Sequence, residues 1–228
     1  MKIDVYTICW NEEIRLPYFF KHYEKFANKL VVFDNESSDS SPKLVNEHPK
    51  GVLKSYSTNG TIRDDVYLQI KNNVWKTDKT ADWVIVVDVD ELVYAKDIIA
   101  ELEKADKEGY TIIEPKGYKF YSEKTPTTEG QIYDEVVMGK ECASKFCCFK
   151  PSEVEEINFL PGCHNAQPRG NIKVLKSENI YFLHFHFIGK EFVDKRRDQY
   201  KERLSQWNIQ NKLGDHYLKG SEGNEQDL

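Results

Sequence analysis

The chain has 228 residues, of which 39% are hydrophobic and 13% aromatic, enough for one well-packed α/β domain. A formal net charge of −6 argues against a nucleic acid as the main partner. No apolar run is long enough to span a membrane, and the N-terminus enters a predicted strand without a signal-peptide pattern. We therefore expect a soluble, cytoplasmic protein whose only membrane contact is peripheral, at the inner face.

The cysteines form an odd set without C-x-x-C spacing: Cys9, Cys142, Cys147, Cys148 and Cys163. This pattern favours reduced thiols, most of them in the core, over a disulfide framework or a zinc site.

The first half of the chain alternates predicted strands with predicted helices. The strands cover residues 3–9, 30–33, 52–56, 84–87 and 110–113. Helices are predicted from Pro17, over residues 42–47, along the face of Ile62, Val66, Ile70 and Val74, and from the N-cap Asp97 to Gly109. The alternation predicts a mostly parallel sheet with helices on both faces.

After about residue 115 the pattern becomes irregular, with a polar loop over residues 122–130 of the kind that often holds substrates. A late strand is predicted over residues 181–188. Val193, Tyr200, Leu204 and Trp207 fall on one side of a predicted final helix. No repeat or long linker divides the chain, so we expect a single domain over residues 1–218 and a flexible polar tail over 219–228.

Three carboxylates, Asp88, Asp90 and Glu91, follow the buried strand 84–87. Open α/β sheets bind their ligands just beyond the carboxyl ends of their strands. Mg²⁺ and Mn²⁺ are usually held by one or two carboxylates together with substrate phosphates. An Asp-x-Asp spacing alone is as often an ordinary solvated turn, so the metal-site hypothesis depends on the other polar groups of the chain.

Polar groups also follow the first two strands. They are Thr7 near the end of the first strand, Asn11 and Glu12 directly after it, and Asp34, Asn35 and Asp39 after the second. These groups can hydrogen-bond a base or a ribose in the same crevice, although Asx-turn and capping chemistry alone would also explain them.

Cations and histidines supply the remaining candidates. Arg63 and Lys71 flank the helix after the third strand, where they can meet a diphosphate or remain solvated. His184 and His186 lie two apart on the late strand and share one face, so one of them is a candidate metal ligand, with a hydrogen-bonded core histidine as the alternative. His164 is a weaker candidate for a metal ligand, with a turn cap as the alternative.

Segments 8–13, 32–39 and 83–91 together resemble, in order and spacing, the GT-A-fold glycosyltransferases, particularly family 2-like enzymes. They read Ile-Cys-Trp-Asn-Glu-Glu, Val-Phe-Asp-Asn-Glu-Ser-Ser-Asp and Trp-Val-Ile-Val-Val-Asp-Val-Asp-Glu. The resemblance covers roughly residues 1–115. The region of His184, with Arg197, Arg203 and residues 214–217, resembles bacterial or viral members that build surface glycans. The resemblance to the GT-A-fold glycosyltransferases implies a single GT-A-like domain. Residues 1–115 would bind the nucleotide sugar, and residues 116–218 would face the acceptor and complete the metal coordination.

By this resemblance, Asp34 and Asp39 would contact the nucleoside, and Asp88 would reach the ribose or the metal. Asp90 would bind Mn²⁺ or Mg²⁺ at the diphosphate, with His184 or His186 completing the coordination. Asp88, Asp90 and Glu91 are then the catalytic candidates. The candidate bases are Glu91, Glu135 and Glu141.

The implied activity is that of a hexosyltransferase. It is metal-dependent transfer of a sugar, with inversion, from a nucleotide-sugar donor, first of all a UDP-sugar, to a glycan or glycolipid hydroxyl in cell-surface polysaccharide biosynthesis. Three alternatives stay open: a sugar nucleotidyltransferase, a haloacid-dehalogenase-like phosphatase and a silent nucleotide-sugar- or glycan-binding module. Lys195, Arg196 and Arg197 can touch a diphosphate, an anionic membrane surface or only water, and a solvated helix face is the default expectation.

Overall fold

The structure, a computed structural model, describes the backbone of residues 1–226 and the side chains of residues 1–220. Its strands are β1 (Ile3–Cys9), β2 (Lys29–Asp34), β3 (Gly51–Ser55), β4 (Trp83–Val86), β5 (Glu91–Tyr94), β6 (Ile112–Ser122), β7 (Gly139–Glu141), β8 (Cys148–Phe149), β9 (Val154–Glu156), β10 (Arg169–Gly170) and β11 (Val174–Ile188). Its α-helices are α1 (Leu16–Tyr23), α2 (Ser41–Glu47), α3 (Asp64–Asn73), α4 (Ile98–Lys107), α5 (Ile132–Glu135), α6 (Lys190–Arg203) and α7 (Gln206–Gln210). Val74–Thr77 and Asp215–Gln226 form 3-10 segments, and the second is kinked at Gly220.

One nine-stranded sheet organises the described residues, in the order β3-β2-β1-β4-β8-β6-β11-β5, with β7 paired to β6. Strands β1, β2, β3, β4, β6 and β11 run in one direction, whereas β5, β7 and β8 run in the other. The mostly parallel sheet predicted from the sequence is confirmed. A β9–β10 pair forms a separate two-stranded sheet.

Two hydrophobic cores lie on opposite faces of this sheet. Ile3 and Val5 of β1 pack in one core with apolar residues of α1, α2 and α4. Tyr6, the next residue of that strand, packs in the other with Leu68 of α3 and Trp75. Because successive side chains of a strand point to opposite faces, helices cover both faces of the sheet, as predicted.

Local signals set the first turns of α1 and α4. Pro17 lies in the first turn of α1, where the fixed φ of proline suits a helix and no backbone N–H is needed. The carboxylate of Asp97 accepts a hydrogen bond from the Ala100 backbone N–H at 3.0 Å and so caps α4. Both helix starts agree with the sequence prediction.

The sequence did not predict strand β5, which follows the acidic turn directly. This strand pairs antiparallel with β11, and Glu91 lies opposite His184 in the register. The pairing places the turn that contains Asp88 and Asp90 beside His184 and His186 of β11.

The predicted single final helix is divided into α6 and α7. Leu204, between them, has an extended backbone and forms a bridge with Ile62. The Ser205 hydroxyl then accepts a hydrogen bond from the Asn208 backbone N–H at 3.1 Å and begins a new helix. The prediction of one final helix that carries Val193, Tyr200, Leu204 and Trp207 on one side was therefore wrong, because Leu204 is not helical and Trp207 belongs to α7.

The five cysteines are unbridged, and four of them are buried, as expected. The tail predicted over residues 219–228 overlaps the second 3-10 segment, and residues 227 and 228 lie outside the described part of the chain. Among the described residues, no helix combines the length and apolar character needed to cross a membrane.

Candidate active site

A cleft of about 660 Å³ opens at the carboxyl ends of β1 and β4 and is walled by β11, α3, α6 and the segment after α7. Among the residues whose side chains are described, eight lysines and arginines and five aspartates and glutamates line it, so these residues contribute a net charge of +3 in a chain whose total is −6. A positive cleft of this size is suited to an anionic ligand.

Asp90 and two histidines converge in this cleft. Asp90 Oδ2 lies 3.6 Å from His184 Nε2 and 3.5 Å from His186 Nδ1, and the ligand atoms of the three side chains all lie within 4.8 Å of one another. Arg15 Nη1 approaches the same Asp90 oxygen at 3.3 Å. Burial alone would raise the pKa of Asp90, but Arg15 and the histidines outweigh it and hold that pKa well below its usual range.

These three residues fit a divalent metal ion. Burial, above all, lowers the pKa of His186 to about 4, so its imidazole is neutral at neutral pH and has the lone pair that a metal needs. One carboxylate oxygen and two imidazole nitrogens form the donor set. Imidazole is a ligand for transition metals, whereas Mg²⁺ takes oxygen, so the set suits Mn²⁺ better than Mg²⁺.

Asp88 has different partners from Asp90. Lys71 Nζ donates to Asp88 Oδ1 at 2.5 Å, and Lys145 Nζ lies 3.4 Å from Oδ2. Burial opposes the charge, but the two lysines outweigh it and lower the pKa of Asp88. Among the described residues, the cluster of possible metal ligands contains Asp90, His184 and His186 without Asp88, which holds the two ammonium groups.

Glu91 forms a deeply buried ion pair with one of these two lysines. It pairs with Lys145, and the exposed fractions of the two side chains are 1% and 5%. Glu91 Oε2 also accepts a hydrogen bond from the Asp88 backbone N–H at 2.9 Å. Sequence reasoning missed Lys145, which lies in the irregular region; its one signal is a lysine directly before the apolar run 146–149.

Arg196 and Arg197 of α6 are buried, with 4% of each residue exposed. The prediction that they lie on a solvated helix face is therefore wrong for both, whereas Lys195 is exposed. Arg196 pairs with Glu12, and its Nη1 donates to the Asn11 carbonyl at 2.6 Å. The physical reason is that the buried Glu12 carboxylate at the end of β1 needs a cation, and α6 supplies it across the cleft.

Of the residues predicted to bind the nucleotide sugar, Glu12, Lys71 and Asp88 line the cleft. The other predicted residues, outside the lining of the cleft, are Thr7, Asn11, Asp34, Asn35, Asp39 and Arg63. Arg63 pairs with Asp65 at 2.6 Å on the surface side of α3.

The polar turns after β1 and β2 hydrogen-bond each other. The Asn11 backbone N–H donates to Ser37 Oγ at 2.8 Å, and the Glu13 N–H donates to Asp39 Oδ2 at 3.0 Å. Asp34 Oδ2 accepts from the Ser37 N–H at 2.9 Å. In this structure these groups fix the shape of the rim beside the cleft.

The three candidate bases are placed differently. Glu91 lines the cleft within its ion pair. Glu135 accepts from the Thr127 backbone N–H at 3.0 Å, and Glu141 lies 3.3 Å from Lys116; both are exposed and outside the cleft lining. Asp64, which sequence reasoning did not single out, lines the cleft at the start of α3, and burial raises its pKa.

Aromatic rings form much of the remaining wall, and they too were not anticipated. Tyr56 and Tyr67 contact edge to face at 6.2 Å on one side, and Trp10 faces the guanidinium of Arg203 at 3.4 Å on the other. Such rings provide apolar faces on which a nucleobase or a sugar can pack.

No protein-family model and no curated protein matches the chain. Among solved structures, S. aureus TarS 1–349 aligns with a TM-score of 0.50 and 14% identity over 89% of this chain and 65% of that one, so this chain spans less than two thirds of it. TarS 1–349 in complex with UDP-GlcNAc aligns with a TM-score of 0.45, at 14% identity over 89% of this chain and 66% of that one. Mycobacterium tuberculosis glucosyl-3-phosphoglycerate synthase, in complex with Mn²⁺, UDP and glucosyl-3-phosphoglycerate, aligns with a TM-score of 0.34, at 14% identity over 53% and 44%. The two lower scores carry no weight, whereas the likeness to TarS 1–349 shows the fold and confirms a GT-A-like α/β architecture.

Proposed function

We propose that the chain is a metal-dependent glycosyltransferase that moves a sugar from a nucleotide-sugar donor to a hydroxyl of a glycan or glycolipid. The observation that carries the proposal is the donor set of Asp90, His184 and His186 lying in one cleft with Lys71 and Lys145. A metal site next to ammonium groups matches the charge of a diphosphate, which is the leaving group of such a transfer. The GT-A-like fold supports the same assignment.

In this proposal Asp90, His184 and His186 would hold a divalent metal ion, which would neutralise charge on the nucleoside diphosphate leaving group. Arg15, 3.3 Å from Asp90, keeps that carboxylate charged and oriented. Lys71 donates to phosphate oxygens and so stabilises the charge that develops as the glycosidic bond breaks.

Lys145, like Lys71, donates to phosphate oxygens in this proposal, and Glu91 positions the Lys145 side chain. Because Glu91 is buried and already bound by Lys145 and by a backbone N–H, it orients the ammonium group and does not take the proton of the acceptor. Asp88 bridges both lysines and keeps them at the edge of β4. Inversion at the anomeric carbon is part of the proposal through the sequence resemblance alone.

UDP-sugars are the donors to test first, because the sequence resemblance to GT-A-fold glycosyltransferases implies them before other donors. The biological setting that we propose is assembly of a cell-surface polysaccharide, with the protein in the cytoplasm at the inner face of the membrane.

A thermal-shift screen of nucleoside diphosphates and nucleotide sugars, each with and without Mn²⁺, tests the donor. A ligand that binds only the folded state stabilises that state by about 2.7 kcal/mol at a hundredfold excess over its Kd. The melting temperature therefore rises. We expect stabilisation by one nucleotide that requires Mn²⁺. No response to any nucleotide would refute the proposal.

A turnover assay separates the alternatives. A transferase releases the nucleoside diphosphate when an acceptor is added. A nucleotidyltransferase would instead release pyrophosphate from a nucleoside triphosphate and a sugar phosphate, and a silent binding module would bind the donor without releasing either product.

A further inference from the structure

The proposed transfer needs a group that takes the proton of the acceptor hydroxyl, and most carboxylates of the cleft are already paired. Among the described residues, five carboxylates line the cleft: Glu12, Asp64, Asp88, Asp90 and Glu91. All of them except Asp64 form ion pairs with lysine or arginine side chains. A proton on one of these four would leave a buried cation uncompensated, so they are poor bases.

The fifth carboxylate, Asp64, lies at the start of α3, against α7. Its backbone N–H donates to Asn208 Oδ1 at 3.1 Å, and its carboxylate interacts with Asn208, Lys71 and His216. The anomeric carbon of a donor sugar is joined to the diphosphate by a single oxygen atom. The base must therefore lie close to the cluster of possible metal ligands, whereas the contacts of Asp64 place it with α7.

His164 lies close to that cluster, on the side of Lys145. It lines the cleft and is exposed there. Its imidazole interacts electrostatically with Lys145, Glu91 and His184. Among the described residues, it is not a member of the cluster of possible metal ligands. Its ring nitrogens are therefore available for chemistry other than metal binding.

A closed hairpin holds His164 in this position. Phe159 and Ala166 form an antiparallel bridge across the hairpin, and the Phe159 backbone N–H donates to Asn72 Oδ1 of α3 at 2.7 Å. Cys163, next to the histidine, is buried in the hydrophobic core on the α3 face of the sheet. The hairpin is thus anchored at its base and beside His164, as a group that transfers a proton requires.

The hydrogen bonding of the imidazole leaves one ring nitrogen as an acceptor. The Ser144 backbone hydrogen-bonds the ring and favours its protonated form, as a carbonyl does when it accepts from a ring N–H. The other nitrogen of a neutral ring then has a free lone pair. Partial burial, and after it the Lys145 ammonium group, lower the pKa of His164, so the ring is neutral at neutral pH.

We propose that His164 is the general base of the transfer. The acceptor oxygen forms a bond to the anomeric carbon, while the bond from that carbon to the diphosphate oxygen breaks and its electron pair leaves with the nucleoside diphosphate. The hydroxyl proton moves to the free ring nitrogen of His164, and the imidazolium then releases it to water. The inference rests on the proposed glycosyltransferase function and adds the base that the cleft carboxylates do not provide.

Azide distinguishes a base from a structural residue, because this anion attacks the anomeric carbon without a proton to lose. The assay measures nucleoside diphosphate released, with Mn²⁺, from the nucleotide sugar that stabilises the protein in the thermal-shift screen. The nucleophile is either a mixture of p-nitrophenyl glycosides in water or sodium azide. His164→Gln should slow the reaction of the hydroxyl acceptors by roughly a hundredfold or more. Its reaction with azide should match that of the unmodified protein.

Two further variants locate the effect in the imidazole ring. Asn165→Ala changes the next residue of the same hairpin, which is exposed and outside the cleft lining, and should keep both reactions. His164→Ala leaves space for added imidazole, which should restore the reaction of the hydroxyl acceptors. The thermal shift by the donor and Mn²⁺ should be unchanged in every variant, which shows that each one folds and binds the donor.

The outcomes separate this inference from the function on which it rests. Unchanged reaction of the hydroxyl acceptors in His164→Gln overturns the inference alone. An equal loss of the hydroxyl and azide reactions also overturns it, because His164 would then hold the donor or the fold instead of the proton. If the unmodified protein releases no nucleoside diphosphate with any nucleophile, the glycosyltransferase proposal fails and the inference falls with it.

Discussion

Lys71 donates a hydrogen bond of 2.5 Å to the Asp88 carboxylate, so the first acid of the Asp-x-Asp motif holds an ammonium group. The second acid, Asp90, faces His184 and His186 instead. Residues two apart on one turn thus have separate partners, the two lysines for Asp88 and the histidines of the candidate metal-ligand group for Asp90. A buried charge is tolerated only with a partner, and each acid has its own.

Replacing Asp90 by asparagine should abolish metal-dependent transfer and the stabilisation by Mn²⁺. The amide loses the negative charge that binds the ion. A Mn²⁺ titration followed by thermal shift measures the effect, and Glu103→Gln, at an exposed residue outside the cleft, is the control for loss of one carboxylate. Turnover at saturating Mn²⁺ that matches the unmodified protein would remove Asp90 from the site.

Removing metal with EDTA should stop donor turnover, and Mn²⁺ should restore it better than Mg²⁺ because two of the three donor atoms are imidazole nitrogens. His186→Ala removes one of these nitrogens. We expect Mn²⁺ affinity to fall by roughly tenfold or more, since even changes to residues that only hydrogen-bond to the metal ligands cost about 10- to 100-fold. Equal recovery with both ions would contradict the proposed ligand set.

Lys71→Met should weaken binding of UDP by about tenfold and leave binding of uridine unchanged, because the ammonium group contacts only phosphate oxygens in our proposal. Calorimetry with uridine, UMP and UDP separates the two parts of the ligand. Lys76→Met is the matched control, since Lys76 pairs with Glu156 outside the cleft. An equal loss for uridine and UDP would show that the variant disturbs the fold.

Glu91→Gln should destabilise the protein by about 3 kcal/mol, because it removes the negative charge that compensates the buried Lys145 ammonium and leaves Asp88, 3.4 Å away, as the carboxylate paired with it. Urea denaturation measures the free energy of unfolding. The double variant Glu91→Gln with Lys145→Met should recover part of the loss, since it removes the uncompensated charge as well. A double variant less stable than the single one would contradict this account.

Stability should fall between pH 6.5 and about 4 because of His22. This buried imidazole lies 3.0 Å from the Val93 carbonyl, and burial, above all, lowers its pKa to about 4. In the unfolded chain a histidine has a pKa of about 6.5, so in this window the unfolded state binds more protons and is favoured as pH falls. The loss is at most about 3 kcal/mol.

Comparing urea unfolding at pH 7 and pH 4.5 measures the His22 contribution. His22→Gln should lose less stability on acidification than the unmodified protein. His48→Gln, at a partly exposed histidine 3.3 Å from Glu24, tests whether removal of any histidine has this effect. An unchanged pH dependence in His22→Gln would exclude His22 as the cause.

Elements whose signals lie within a few residues were predictable. The strand Ile3–Cys9 was placed correctly from its apolar run, and the cap at Asp97 was placed from residue type alone. The Asp88 and Asp90 turn was found for the same reason, since a buried strand and the acids that end it are adjacent in sequence.

Long-range pairing decided the rest. Nothing near Lys145 indicates that it meets Glu91 at a distance of 54 residues, because the antiparallel insertion of β8 between β4 and β6 creates that contact. The polar appearance of α6 likewise suggested a solvated face. A charge pattern does not distinguish water from a buried carboxylate of another element as the partner of an arginine.

The pairing of Glu12 with Arg196 also bears on how the protein is made. The two residues are 184 positions apart, so during synthesis the first strand leaves the ribosome long before its cation partner. Domains generally fold as units. Competence to bind a ligand therefore requires that α6 has been synthesised, because the wall of the cleft that contains Arg196 is absent until then.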